Sequence, residues 1–215
     1  MPDLRENGRC PPIEQRIKIL IRHRLAEDLE SCYESLRDEQ RFPLRPAVEP
    51  RESRMSQDNY VLRHFPELQT LLLRQFYDVK NRVLRYESTE FGIATSWITK
   101  TDRDEQSHFH IHKNSLFSGV LYFESIEGGA AIEFANYNLN PRSIDVNRPT
   151  ERNIYNSNSV RVPVGHNVLL FFPSYLFHRI TRHEAEQPRY SLAFNMMPVG
   201  RISTTADSQY DFAAL

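Results

Sequence analysis

The segment SHFHIHKN, residues 107–114, places histidines at the alternate positions 108, 110 and 112. In a β-strand alternate side chains lie on one face, so the three imidazoles would point away from Phe109 and Ile111. Neutral imidazole is a ligand for iron, zinc, copper and nickel. The spacing therefore predicts a strand from His108 to His112 that presents ligands to one metal ion, although exposed or hydrogen-bonded histidines would show the same spacing.

A further ligand has to come from another part of the chain, and His178 is the best candidate. It lies in FFPSYLFHRI, residues 171–180, an apolar setting in which a buried imidazole needs a polar partner. That partner is either a metal ion or a backbone carbonyl, and the sequence leaves both open. His166 and His183 stand in turns and are weaker candidates.

Arg189 and Ser191 follow on the next strand-like run, RYSLAFN, residues 189–195. At positions i and i+2 of a strand they share a face. A guanidinium fork beside a hydroxyl is suited to holding a carboxylate. A surface ion pair is the alternative interpretation of this arginine.

Several short strands must position these side chains. Runs rich in β-branched and aromatic residues alternate with turns that contain glycine, proline or asparagine, which is typical of a sandwich or barrel. The predicted strands cover residues 93–99, 108–112, 118–123, 130–134, 167–172, 176–181 and 190–195.

Two amphipathic helices are predicted before the strands. The first has apolar residues at spacings of three and four from Ile13 to Leu36, and the second begins near Pro66 and extends to Tyr86. Residues 41–57, with three prolines, are predicted to be an extended connector. We expect one structural domain overall, divided into an N-terminal helical extension (1–88), a β core (89–200) and a C-terminal tail (201–215).

A polar stretch from Asn136 to Asn158 shows little strand pattern and is predicted to be a loop that closes over the site. Its Arg142, Arg148 and Arg152 are candidates to contact an anionic substrate, or they are solvated loop charges.

The composition excludes several classes of protein. The 215 residues carry a formal net charge of −1, which provides no general attraction to nucleic acid or anionic lipid. Cys10 and Cys32 are the only cysteines, so a disulfide framework is not expected. There is no apolar run of membrane-spanning length, and the polar N-terminus does not resemble a signal peptide. We therefore expect a cytoplasmic protein with no membrane or nucleic-acid partner.

Three motifs in this order resemble those of a family of 2-oxoglutarate/iron(II) oxygenases found in bacteria and bacteriophages. They are HIHKNSLFSGVLYF (110–123), GHNVLLFFPSYLFHRI (165–180) and RYSLAFN (189–195). The resemblance covers roughly residues 97–198. It implies a mainly β protein with a double-stranded β-helix (jelly roll) and N-terminal helices packed on it.

The same resemblance implies a set of functional residues. Iron(II) would be bound by His110, His112 and His178. The cosubstrate 2-oxoglutarate would be held by Arg189 and Ser191, with Tyr122 adding a hydroxyl to its carboxylate. Asn195 and Asn114 are weaker candidates, either to contact the cosubstrate or to support a metal ligand from behind. Such an enzyme is a dioxygenase that uses O2 to hydroxylate its substrate, here an unidentified small molecule or protein side chain, and releases succinate and CO2.

One position departs from the wider superfamily, in which a carboxylate stands where this chain has His112. Either the site has three histidines, or Glu124 or Glu133 supplies the carboxylate. Two other functions are compatible with three histidines. One is a cupin-like dioxygenase that does not use 2-oxoglutarate, and the other is a non-catalytic jelly-roll module with a structural metal.

Overall fold

The computed structural model describes residues 21–86, 89–135, 157, 159–202 and 210–212, and within these ranges the chain forms ten strands and two α-helices. The strands are β1 (Ile21–Arg24), β2 (Arg54–Met55), β3 (Glu90–Thr101), β4 (Phe117–Tyr122), β5 (Ile132–Ala135), β6 (Ser159–Val162), β7 (Val168–Pro173), β8 (His178–Ile180), β9 (Arg189–Ile202) and β10 (Tyr210–Phe212). The helices are α1 (Glu30–Arg37) and α2 (Pro66–Val79), with a 3-10 turn at Val61–His64 and a π-helical turn at Lys80–Leu84.

The strands form two antiparallel sheets. The major sheet has the order β1-β7-β4-β9-β3-β2, with β10 also paired to β9, and the minor sheet has the order β6-β5-β8. This is the predicted jelly roll.

The inner strands of the major sheet are buried on both faces, which explains why their sequences are continuous apolar runs. Every residue of β4 (FSGVLY) and of β7 (VLLFFP) is buried. One face packs on the minor sheet in a cluster formed by Val120, Tyr122, Ile132, Phe134, Val162, Val168, Leu170, Phe172 and Ala193. The opposite face packs on the two helices.

Helix α2 confirms the second predicted helix. Pro66 lies in its first turn, where its missing N–H has no intrahelical partner to lose. The fully buried ring of Phe76 lies 5.2 Å from Phe91, 5.4 Å from Phe117 and 5.4 Å from Phe171, measured between centroids. Burying such a ring contributes about 1.5–3 kcal/mol, so this contact anchors the helix to the major sheet.

The first predicted helix is partly wrong. Residues Ile21–Arg24 form β1, which pairs antiparallel with the edge of β7, and the helix is limited to Glu30–Arg37. The edge of β7 offers unpaired N–H and C=O groups to β1, and a segment of four residues is too short for its sequence pattern to distinguish a helix from a strand. The part of the prediction from Ile13 to residue 20 lies outside the described residues.

The predicted connector is extended, as expected, and its residues Arg54 and Met55 pair with β3. The predicted lid, with its three arginines, lies outside the described residues apart from Ser157. No helix in the described ranges is long and apolar enough to cross a membrane.

A substitution at Gly119 can test the packing of the major sheet, because this glycine stands opposite Phe194 in the β4–β9 register. A Cβ added at Gly119 would lie 2.1 Å from the buried Phe194 ring. We therefore expect Gly119→Ala to lower the free energy of unfolding by about 1–3 kcal/mol, measured by urea denaturation. The Gly119→Ala/Phe194→Leu double variant should lose less stability than the sum of the losses in the two single variants. Strict additivity would show that the ring is not the obstacle.

Candidate metal centre

Backbone pairing brings the first and third candidate histidines together. The N–H of His110 donates to the carbonyl of His178 over 2.9 Å, and the N–H of His178 donates back over 3.0 Å. The N–H of His112 donates to the carbonyl of Ser174 over 3.0 Å. The segment that carries His110 and His112 is therefore held against the start of β8.

Side chains support this pairing from the other face. Phe109 stacks on Phe177 with their centroids 5.3 Å apart, and the guanidinium of Arg179 lies 4.7 Å from the Phe109 ring. Both contacts fix the orientation of the residues beside His110.

The strand predicted from His108 to His112 is wrong. The segment has only the single bridge at His110, and a turn with a left-handed residue, Asn114 at φ 56°, follows it. His108 is exposed and does not join the cluster formed by the other two histidines and His178.

Three imidazoles converge on one point. The ligand atoms of His110, His112 and His178 lie within 4.8 Å of one another. Nδ1 of His110 lies 2.9 Å from the carbonyl of His108, and Nδ1 of His178 lies 2.8 Å from the carbonyl of Leu176. Because a carbonyl only accepts, both rings carry their proton on Nδ1, and their Nε2 lone pairs are free to bind a metal.

His112 is oriented by side chains instead. Its Nδ1 lies 2.8 Å from Oδ1 of Asn195 and 2.8 Å from Oγ of Ser118, and that hydroxyl also contacts Oγ of Ser174 at 2.8 Å. Asn195 was expected either to contact the cosubstrate or to support a metal ligand from behind, and its contact with His112 is of the second kind. Ser118 and Ser174 were missed, although both lie inside the recognised motifs.

Two histidines of the cluster have pKa values well below the ordinary value of histidine. Burial, and to a smaller extent the neighbouring His110, lowers the pKa of His112 from 6.5 to about 4. Burial, followed by His110 and His112, lowers the pKa of His178 from 6.5 to about 3. Both rings are therefore neutral at pH 7, which is the state that binds a metal.

The two alternative carboxylates have other partners. Glu124 forms an ion pair with Arg37 at 2.5 Å, and Glu133 forms one with Arg179 at 2.7 Å. Neither glutamate belongs to the cluster of possible metal ligands among the described residues.

Arg189 lies in the same cavity as the histidines, a space of about 310 Å³. Its side chain is buried and its Nη1 donates to the carbonyl of Ala130 over 3.0 Å. Its Nε and Nη2 have no hydrogen-bond partner within the described parts of the chain. These two nitrogens form one edge of the guanidinium, the edge that binds a carboxylate through two parallel hydrogen bonds. Burial lowers the pKa of Arg189, and the ring of Tyr122 lies 5.1 Å from its charge.

Ser191 and Tyr122 also line this cavity and are buried. They stand opposite each other in the β4–β9 register. Asn114 lies in an exposed turn and is not among the residues that line the cavity. The structure thus gathers Arg189, Ser191 and Tyr122 but not Asn114.

The N-terminal part of the chain completes the cavity wall through Glu52, Ser53 and Met55. Sequence reasoning missed these residues because their connector has no recognisable motif. His183, expected in a charged turn, is fully buried. His166 contacts the carbonyl of Phe123 through Nδ1 at 2.8 Å, outside the cluster.

Solved structures share this architecture. An oxidoreductase of the 2OG-Fe(II) oxygenase family from Burkholderia pseudomallei is 15% identical, with 86% of each chain covered and a TM-score of 0.58. HygX from Streptomyces hygroscopicus, with nickel and 2-oxoglutarate bound, is 13% identical, with 91% of each chain covered and a TM-score of 0.59. The epimerase SnoN from nogalamycin biosynthesis is 12% identical, with 91% of this chain and 90% of its own covered and a TM-score of 0.61. At these identities the likeness shows the fold.

Sequence comparison is more specific. No curated protein matches the chain. A family model described as "Putative 2OG-Fe(II) oxygenase" matches residues 95–195. That segment contains the histidine cluster, Arg189 and Ser191. Residues 95–195 of this chain, most of its β core, therefore match the 2OG-Fe(II) oxygenase family.

Proposed function

We propose that the protein is a non-haem iron(II)- and 2-oxoglutarate-dependent dioxygenase that hydroxylates its substrate. The observation that carries this proposal is the buried Arg189, which has two unpartnered nitrogens in the cavity that also contains three converging histidines. A cation site and an anion site in one cavity match the needs of a metal and a dicarboxylate cosubstrate.

The donor set fits iron(II). His110, His112 and His178 would hold the ion through three imidazole nitrogens, and the ion would supply the site at which the cosubstrate and O2 react. The absence of a carboxylate from this set leaves the ion one charge unit more positive than in a His-His-carboxylate site. That difference favours an anionic cosubstrate.

The residues around Arg189 fit the distal carboxylate of 2-oxoglutarate. A buried guanidinium with unsatisfied N–H groups costs several kcal/mol, and a carboxylate that accepts from Nε and Nη2 removes that cost. The hydroxyls of Ser191 and Tyr122 line the same space and are available as further donors.

Iron(II) bound at this site would supply the activation of O2 that couples decarboxylation of 2-oxoglutarate to oxidation of a substrate C–H bond. The chain's own residues have three tasks. The histidines hold the metal, Arg189 orients the cosubstrate, and the aromatic residues Phe172, Phe134 and Trp97 around the histidine cluster exclude water.

The structure favours this function over the two alternatives. A three-histidine dioxygenase without 2-oxoglutarate has no use for the unpartnered edge of Arg189. A structural metal site would have a closed set of four protein ligands, whereas three converge here among the described residues. HygX, which shares the fold, holds nickel and 2-oxoglutarate.

Among the predictions that test the site, the first concerns activity and metal binding together. We expect the iron(II)-loaded protein to form succinate from 2-oxoglutarate under O2, even without a primary substrate. His112→Ala should abolish succinate formation and weaken Ni(II) binding at least about 100-fold, measured by calorimetry. His108→Ala is the matched control, since it changes a neighbouring imidazole outside the cluster, and it should keep both properties. Oxygen uptake that is independent of 2-oxoglutarate would support the cupin-like alternative.

The second prediction concerns the anion site. We expect Arg189→Met to raise the Kd of 2-oxoglutarate for the Ni(II)-loaded protein about 100-fold, because a charged bidentate pair is lost. Without cosubstrate, the variant should be as stable as the wild type or more so, since an unpaired buried charge is removed. Arg182→Met, which alters an exposed ion pair with Asp104, is the control and should bind 2-oxoglutarate normally. Unchanged affinity in Arg189→Met would contradict the assignment.

The third prediction concerns pH. The unfolded chain takes up protons on His112 and His178 near pH 6.5, whereas the folded chain does so only near pH 4 and pH 3. The free energy of unfolding of the metal-free protein should therefore fall as the pH drops from 6.5 towards 4, and these two groups should cause no change above pH 6.5. Urea denaturation at several pH values measures this slope. The His112→Gln/His178→Gln variant should show a shallower dependence, and equal slopes would contradict the assigned cause.

A further inference from the structure

His183 is a fully buried side chain whose two ring nitrogens both have backbone partners. Its Nδ1 accepts from the N–H of Ala130 over 3.0 Å, and its Nε2 donates to the carbonyl of Gln187 over 2.7 Å. An N–H can only donate and a carbonyl can only accept. The ring is therefore neutral, with its proton on Nε2.

Ala130 connects this histidine to the anion site. Its N–H is held by His183, and its carbonyl accepts from Nη1 of Arg189 over 3.0 Å. Because Nη1 is engaged by Ala130, the edge of the guanidinium left without a partner among the described residues is the one formed by Nε and Nη2. The position of the Ala130 peptide therefore sets the direction of the carboxylate-binding edge.

Gln187 supplies a second connection. It lies two residues before Arg189 in the chain, and its carbonyl is held by Nε2 of the same imidazole. His183 thus restrains Arg189 at both ends, the guanidinium through Ala130 and the backbone through Gln187.

We propose that His183 is a positioning residue for cosubstrate binding, which acts by holding Arg189 in the orientation that receives the distal carboxylate. This inference rests on the proposed function, because it assumes that Arg189 binds 2-oxoglutarate. His183 does not line the cavity and does not belong to the metal cluster, so its effect is transmitted through the two backbone contacts.

Three substitutions separate the contacts. His183→Leu removes both, His183→Asn keeps an acceptor near the position of Nδ1, and His183→Gln keeps a donor near the position of Nε2. The Kd of 2-oxoglutarate for the Ni(II)-loaded protein is measured by calorimetry, together with the Kd of Ni(II) and the urea midpoint.

We expect His183→Leu to raise the Kd of 2-oxoglutarate about tenfold or more, the effect of misplacing one charged hydrogen-bonding partner, and to change the Kd of Ni(II) by no more than about twofold. His183→Asn should recover most of the affinity, because it keeps the Ala130 contact that orients the guanidinium. His183→Gln should recover less. If His183→Leu does not fold, the difference between the Asn and Gln variants decides the question.

Thr181→Val is the matched control. Thr181 Oγ1 accepts from the N–H of Ala131 over 2.9 Å, so this variant loses a similar hydrogen bond one residue away from Ala130. It should lower the urea midpoint and leave the Kd of 2-oxoglutarate unchanged.

Two results would overturn the inference in distinguishable ways. A wild-type protein that binds Ni(II) but not 2-oxoglutarate would overturn the proposed function and this inference with it. A wild type that binds 2-oxoglutarate, with equal affinity in the three His183 variants or an equal loss in Thr181→Val, would overturn the positioning role alone.

Discussion

Strand β9 is hydrogen-bonded on both edges, to β3 and to β4, and this double pairing positions the two ends of the site. Its alternate residues Arg189, Ser191 and Ala193 line the cavity, and Asn195, the next in the same alternation, contacts His112. Arg189, the proposed anion-binding residue, and Asn195, which contacts a candidate metal ligand, therefore stand on one strand. A shift of one residue in either pairing would turn this whole set towards the helical face, so the register of β9 specifies the site.

Three side chains in the cavity make unfavourable electrostatic contributions to the stability of the fold. The free edge of Arg189 has no partner among the described residues, and burial holds the pKa values of His112 and His178 far below 6.5. Both features lower the free energy of unfolding. A metal cation at the histidines and a dicarboxylate at Arg189 would each remove one of these unfavourable terms. The opposite face of the major sheet, packed on α1 and α2, provides apolar burial that offsets them.

Described parts of the N-terminal segment pack on the family-matched core. Phe76 of α2 packs on Phe117 and Phe171, β1 covers the edge of β7, and Glu52, Ser53 and Met55 line the cavity. The core alone would expose an apolar sheet face. Glu52, Ser53 and Met55 therefore add to the cavity a wall that lies outside the family-matched residues 95–195.

The sequence by itself determined the mainly β jelly roll, helix α2 and the side chains that meet in one cavity, because strand alternation and the three motifs are local properties. It could not determine that Ile21–Arg24 would become a strand, since that depends on the free edge of β7. It also predicted a strand at His108–His112, where only a single bridge to His178 forms. The hydrogen bonds that hold the site residues in place also depend on tertiary structure. His183, Ala130 and Arg189 meet through contacts between residues more than fifty positions apart, and no local pattern encodes such contacts.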